Sequence, residues 1–170
     1  MLNNVPSKEV LFRIDCLLER LVPNLLKSPI VRFLNICSDD VSFEDQLHKY
    51  KFSGKTQLLM HVAKIKIYYR YRSPYNKVER IGSCIYENED VIVLLWRLHT
   101  FNTSIWTYLP SFITKKKPKL HIIEGALDIH VNKEGMVYKM INRKIAASDL
   151  EDAKVMEAMK KEREDTKKWK

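Results

Sequence analysis

The 170-residue chain is poor in the residues that staple, punctuate or span. Its three cysteines, Cys16, Cys37 and Cys84, are too few and too scattered for a disulfide framework. None forms a CxxC pair, which excludes a zinc ribbon or a thioredoxin-type motif. Each is expected to pack as a small hydrophobe in a reducing compartment. Four glycines and six prolines exclude collagen-like and low-complexity chains. The longest unbroken apolar run, Val91 to Trp96, is far short of the roughly 20 residues that cross a bilayer. His48, His61, His99, His121 and His130 never fall into HExxH or another ligand spacing, so no metal site is expected. No cofactor motif is present either. Gly54-Lys55-Thr56 has Lys49 where a phosphate loop needs its first glycine, and reads as the entry to a helix. The opening residues carry neither a signal-peptide core nor an Arg/Ser-rich transit pattern.

What is abundant is positive charge. Thirty Lys and Arg against 21 Asp and Glu give +9. Residues 51–120 carry 13 basic and 4 acidic side chains, which accounts for the whole excess. Lys64, Lys66, Arg70 and Arg72 lie on one predicted helix, and Lys115, Lys116, Lys117 and Lys119 in and after a long connection. This concentration suits an anionic membrane surface or an acidic protein partner. Tyrosines between the helix's arginines would also suit stacking on bases, but no RNA-binding motif accompanies them, which makes nucleic acid the weaker expectation.

The order of elements follows from hydrophobic period. Val10, Leu11, Ile14, Leu17, Leu18 and Leu21 recur at helical spacing from a Ser7 cap toward Lys27, with Pro23 as an interruption. A short helix over residues 30–36, a strand over 41–44 and a helix over 55–72 follow. The period then changes from 3.6 to 2. Strands are expected over residues 78–86, 90–101, 119–132 and 136–144, with a hairpin at Asn132-Lys133-Glu134-Gly135. Ser148 and Glu151 have capping-box spacing for a final helix, charged beyond Lys160. Helices, then an antiparallel meander, then a helix make an α+β fold, with one domain at 7–146 and a charged helical tail at 147–170.

In this order the chain resembles the nuclear transport factor 2-like superfamily, and within it the domain of unknown function 2358 family (chromosome 6 open reading frame 136-like). The resemblance rests on Leu18-Glu19-Arg20-Leu21-Val22-Pro23, Ser38-Asp39-Asp40-Val41-Ser42-Phe43-Glu44-Asp45, Gly54, Val93-Leu94-Leu95-Trp96-Arg97-Leu98 and Asn132-Lys133-Glu134-Gly135-Met136-Val137-Tyr138. It covers roughly residues 8–146. It implies a cone in which a curved sheet wraps N-terminal helices, and a mitochondrial or plastid setting, with the cytoplasm as the alternative. It supplies no catalytic residue.

Trp96, His99, Glu124 and Tyr138 are the candidate lining of a pocket in such a cone. Asp45, Glu124 and Asp128 are the carboxylates nearest a sheet face. If Glu124 is buried it needs a partner, Arg97 or Lys139. The leading expectation is a non-catalytic ligand-binding or interaction domain with a basic surface. The rival is a small pocket enzyme of the ketosteroid-isomerase or polyketide-cyclase kind. Pairing of two copies through the open sheet face is a further expectation.

Overall fold

The computed structural model describes residues 8–102 and 119–168. Helix α1 spans Lys8–Leu21 and runs into a single 3-10 turn at Val22–Asn24, where Pro23 cannot donate to a continuing helix. Leu11, Ile14 and Leu18, spaced three and four apart, are buried along its inner stripe. A four-residue helix, α2 (Val31–Leu34), leads to strand β1 (Cys37–Asp45). β1 turns back into β2 (Tyr50–Ser53) through Lys49, which takes a positive φ of 58°.

Gly54, at φ 101°, then swings the chain into helix α3 (Lys55–Arg72), a conformation that a side chain at that position would strain. After α3 come β3 (Asn76–Tyr86), β4 (Val91–Asn102), β5 (Lys119–Val131), β6 (Val137–Arg143) and helix α4 (Ala147–Lys168).

The six strands form one sheet in the order β2-β1-β6-β5-β4-β3. β3 to β6 are the expected antiparallel meander, and the turn before β6 uses Gly135 at φ 79° as anticipated. β1 differs from expectation. It lies parallel to β6, with Phe43 opposite Met140 and Asp45 opposite Asn142. The sheet is therefore mixed. The α3 crossover carries the chain from the β1–β2 hairpin to the far edge strand, so β1 meets the last strand of the meander.

Alternation sorts the side chains onto two faces. The inner face carries Phe43, Met140, Ile129, Ile92 and Ile85 as one cross-sheet row. That row joins Leu11, Ile14, Leu18 and Leu58 in the principal core. Each such aliphatic contributes about 1.5–3 kcal/mol by leaving water. The outer face of β4 and β5, with Val91, Val93, Leu95 and Ala126, is covered by α4 through Ala153.

A bulge between Arg80 and Gly82 bends edge strand β3, and the absence of a Cβ at Gly82 lets Ala153 approach closely. The later turns of α4 reach past this edge to α1. Met156 packs on the principal core and Lys160 pairs with Asp15 of α1. An otherwise open strand edge is thereby covered.

The charged segment after residue 146 is thus fastened to the sheet. Arg143 makes a two-pronged pair to Asp149 at 2.7 and 3.0 Å, Tyr86 donates to Asp152, and Arg80 pairs with Glu157 at 2.8 Å. The helix also starts two residues earlier than a Ser148–Glu151 capping box would place it. Asp149, rather than Glu151, reaches back to accept the Ala146 N–H at 2.7 Å. The same carboxylate serves cap and ion pair, which fixes the entry angle of α4.

Candidate functional sites

The four candidate pocket residues are not brought together. Trp96 faces inward. Its neighbours one and three positions on, Arg97 and His99, face outward, as strand alternation demands. Glu124 stands opposite Arg97 on the outer face and pairs with it at 2.9 Å while half-exposed. Arg97 is thus its partner, and Glu124 is not a buried base. His99 Nε2–H donates to the Glu79 carboxylate at 2.9 Å across the β3–β4 ladder. Tyr138 is exposed beside His130. Trp96 on the inner face and His99 with Glu124 on the outer face therefore do not line one pocket.

The inner face instead holds a polar chain that single residues did not announce. The Trp96 indole lies over Gly125, where an added Cβ would sit 2.8 Å from the ring. Its Nε1–H donates to Asn142 Oδ1 at 3.0 Å. Asn142 in turn donates through Nδ2 to Asp45 Oδ2 at 3.3 Å. Asp45, buried at the end of β1, also accepts the Leu47 and His48 amides at 2.8 and 3.0 Å, and the His48 ring at 3.0 Å.

Burial alone would raise the Asp45 carboxyl. The bonds from the His48 side chain and amide and from Asn142 outweigh it and hold the group below the ordinary carboxylate value. Next to it, burial and then the Asp45 charge push the Tyr50 phenol up. The Tyr50 hydroxyl meets His61 Nε2 at 2.7 Å. Burial lowers the His61 imidazole, the Asp45 charge pulls it back, and Lys64 and His48 add to the lowering.

At neutral pH the set is an ionised carboxylate, a protonated phenol and a neutral imidazole. Phe43, Tyr50, Phe52 and His61 pack ring on ring around it, with centroids 5.1–6.3 Å apart. The opening beside it is a shallow, solvent-open depression of about 420 Å³ lined by Glu44, Asp45, Gln46, Lys49, Tyr50 and Lys51. Among the described residues no cluster of three metal-ligating side chains occurs. Asp45 was legible as a carboxylate near a sheet face. Asn142 and Tyr50 were missed, because only the parallel β1–β6 pairing and the short β2 strand bring them to it.

The basic surface divides in the same way. Lys66 is half-buried and donates to the Ser28 carbonyl, which binds α3 to the loop before α2. Arg72 lies over the Tyr68 ring, 5.3 Å from its centroid. Lys64, Arg70 and Lys119 are exposed. Lys115, Lys116 and Lys117, with Trp106 and Tyr108, lie outside the described residues.

Over its 18 residues α3 fully buries only Leu58. It leaves Leu59, Met60, Ile67, Tyr68 and Tyr71 exposed, Ile67 at 57% and Tyr71 at 79%. It contains no Asp or Glu. Among the described residues no helix is long and apolar enough to cross a membrane.

Comparison with solved structures assigns the architecture. An NTF2-like protein from Exiguobacterium sp. 255-15 superposes with a TM-score of 0.51 at 13% identity, covering 76% of this chain and 95% of its own. A protein assigned as a SnoaL-like polyketide cyclase from Jannaschia sp. CCS1 gives 0.55 at 10% identity, covering 81% and 86%. Another so assigned, from Shewanella putrefaciens CN-32, gives 0.51 at 12%, covering 91% and 90%. The chain has the nuclear transport factor 2-like fold. At such identities the likeness extends to the fold alone. No model of a known protein family matches the sequence, and no curated protein matches it.

Proposed function

We propose that this nuclear transport factor 2-like domain is a non-catalytic binding module that docks on an anionic partner through the outer face of α3, in the mitochondrial setting its motifs resemble. The observation that carries this reading is α3 itself. A helix of 18 residues that buries one side chain fully, displays aliphatics and tyrosines, and bears five basic residues with no acid is poorly explained by the core it covers. The inner face is filled by the molecule's own Phe43, Phe52, Tyr50 and Trp96.

The test is binding to soluble polyglutamate and to anionic vesicles, for wild type and for Lys64→Glu/Arg70→Glu. Binding to at least one probe that the double variant abolishes supports the proposal. Binding to neither, or binding that survives the double charge reversal, refutes it.

The rival reading, a small pocket enzyme, has one specific observation in its favour. The buried Asp45 carboxylate holds the Nδ1 side of the exposed His48 ring at 3.0 Å, so Nε2 points away from the carboxylate, the arrangement of a carboxylate-oriented histidine. Turnover of activated esters or enolisable ketones that His48→Ala and Asp45→Asn both abolish would establish that reading over the binding module. Pairing of two copies through the outer sheet face must accommodate α4, which already lies over β4 and β5 there.

A further inference from the structure

We propose that the anionic partner is a phospholipid bilayer, and that α3 lies flat in its headgroup region. This deepens the docking role of α3 argued above and rests on it. At 100° per residue, Met60, Ala63, Ile67 and Tyr71 fall on one stripe along the outer side of α3, and all four are exposed. Lys64 flanks that stripe on one side and Arg70 on the other. Both are exposed, and no ion pair engages either among the described residues.

An apolar centre with cations on both margins is the pattern of a helix lying in the interface plane. The aliphatic and aromatic groups enter the acyl boundary, and the long basic stems reach back to phosphate. Tyr68 and Tyr71, each with an apolar ring and a polar tip, suit headgroup depth. At 1.5 Å per residue the helix is about 27 Å long, just short of the roughly 30 Å hydrocarbon core even if it stood upright. Its five basic side chains forbid that, so it lies flat.

Two observations set lipid above the other anionic partners. The Tyr68 ring meets Tyr69 at 5.0 Å and carries the Arg72 guanidinium on one face, so it is already engaged where a nucleic-acid base would stack. A purely acidic protein would use the cations but leave Met60, Ile67 and Tyr71 in water. A bilayer engages both classes of side chain with one flat surface.

The experiment is flotation with phosphatidylcholine vesicles, with and without phosphatidylglycerol, at low and high salt, beside retention on polyglutamate. The wild-type chain is expected to float with the anionic vesicles only, and to be released by salt. Removing the two flanking cations in Lys64→Gln/Arg70→Gln should weaken binding about 30-fold, at roughly fivefold per cation near the surface. Ile67→Ser/Tyr71→Ser, which keeps every charge, should weaken vesicle binding too. Both pairs are exposed, so an unchanged thermal melt confirms that each variant folds.

Retention on polyglutamate through Lys64 and Arg70 without flotation would overturn the lipid assignment and leave the docking role standing. Flotation unaffected by Ile67→Ser/Tyr71→Ser would also overturn the bilayer geometry. Failure with both probes would overturn the docking role itself.

Discussion

The two long helices on the inner face of the sheet are built on opposite plans. α1 is amphipathic. Its apolar positions recur at i, i+3 and i+7, and Leu11, Ile14 and Leu18 all reach the core. Even its one buried acid, Asp15, is fully enclosed and satisfied by Ser83 and Lys160. α3 is longer and a little less apolar overall, yet its apolar residues surround it. Leu58 enters the core, and Met60, Ile67 and Tyr71 face water. The difference teaches that hydrophobicity in α3 exceeds what folding needs, whereas in α1 the two match. The excess is where a binding role is to be sought.

Substitutions should separate the two helices most sharply by stability. Ile14→Ala is expected to cost about 2–5 kcal/mol, as for other large-to-small core changes. Asp15→Ala, which leaves Lys160 and the Ser83–Arg80 corner without their acid, should fall in a similar range of about 3–5 kcal/mol. Ile67→Ala in α3 should stay within about 0.5 kcal/mol. Urea unfolding midpoints of the three variants give the comparison directly. A core-sized loss for Ile67→Ala would erase the distinction between the helices.

A smaller effect is expected where the inner face is tightest. Gly125→Ala places a methyl against the Trp96 ring, so the indole must shift and release Asn142. The cost should be about 1–3 kcal/mol, with a changed near-ultraviolet dichroism. An unperturbed spectrum would mean that the indole does not lie on β5.

pH reads the remaining two contacts. The Arg143 bonds, opposed by burial and aided by the Ala146 amide, hold Asp149 below its ordinary value of 3.8. Its folded pKa is depressed, so its stabilisation is present above 3.8 and is lost as pH falls through the folded value. Urea melts should show wild-type stability declining in that acid window, with a shallower decline for Asp149→Asn. The half-buried, lowered His61 gives the smallest effect. Stability should fall as pH drops below the ordinary histidine value of 6.5, where the unfolded chain takes up the proton first. His61→Gln should flatten that slope, and an equal slope in the variant would assign it elsewhere.

Much of this was legible from hydrophobic period. The α1 stripe, the extent of α3, the β3-to-β6 meander and the Gly135 turn follow from local patterns that tertiary packing did not override. The parallel β1–β6 pair was not legible. Which strands become neighbours is decided by the α3 crossover, and no local pattern encodes it. The inner polar chain was hidden for the same reason, since Asp45 and Asn142 stand 97 positions apart in sequence. For Glu124 the sequence left burial open and named Arg97 as one partner; the exposure of its neighbours Leu120 and Ile122 decides the burial, and the β4–β5 register decides the partner. The basic run was legible as charge, but the division between Lys66, spent on the Ser28 carbonyl, and the outward Lys64 and Arg70 required the packing of α3.

The contrast between α1 and α3 is tested most directly by hydrogen exchange of the whole chain with and without anionic vesicles. The account predicts slower exchange gathered in residues 60–71 of α3, and no change along α1. Protection that appears in α1, or that leaves α3 unchanged while the chain is bound, would contradict it.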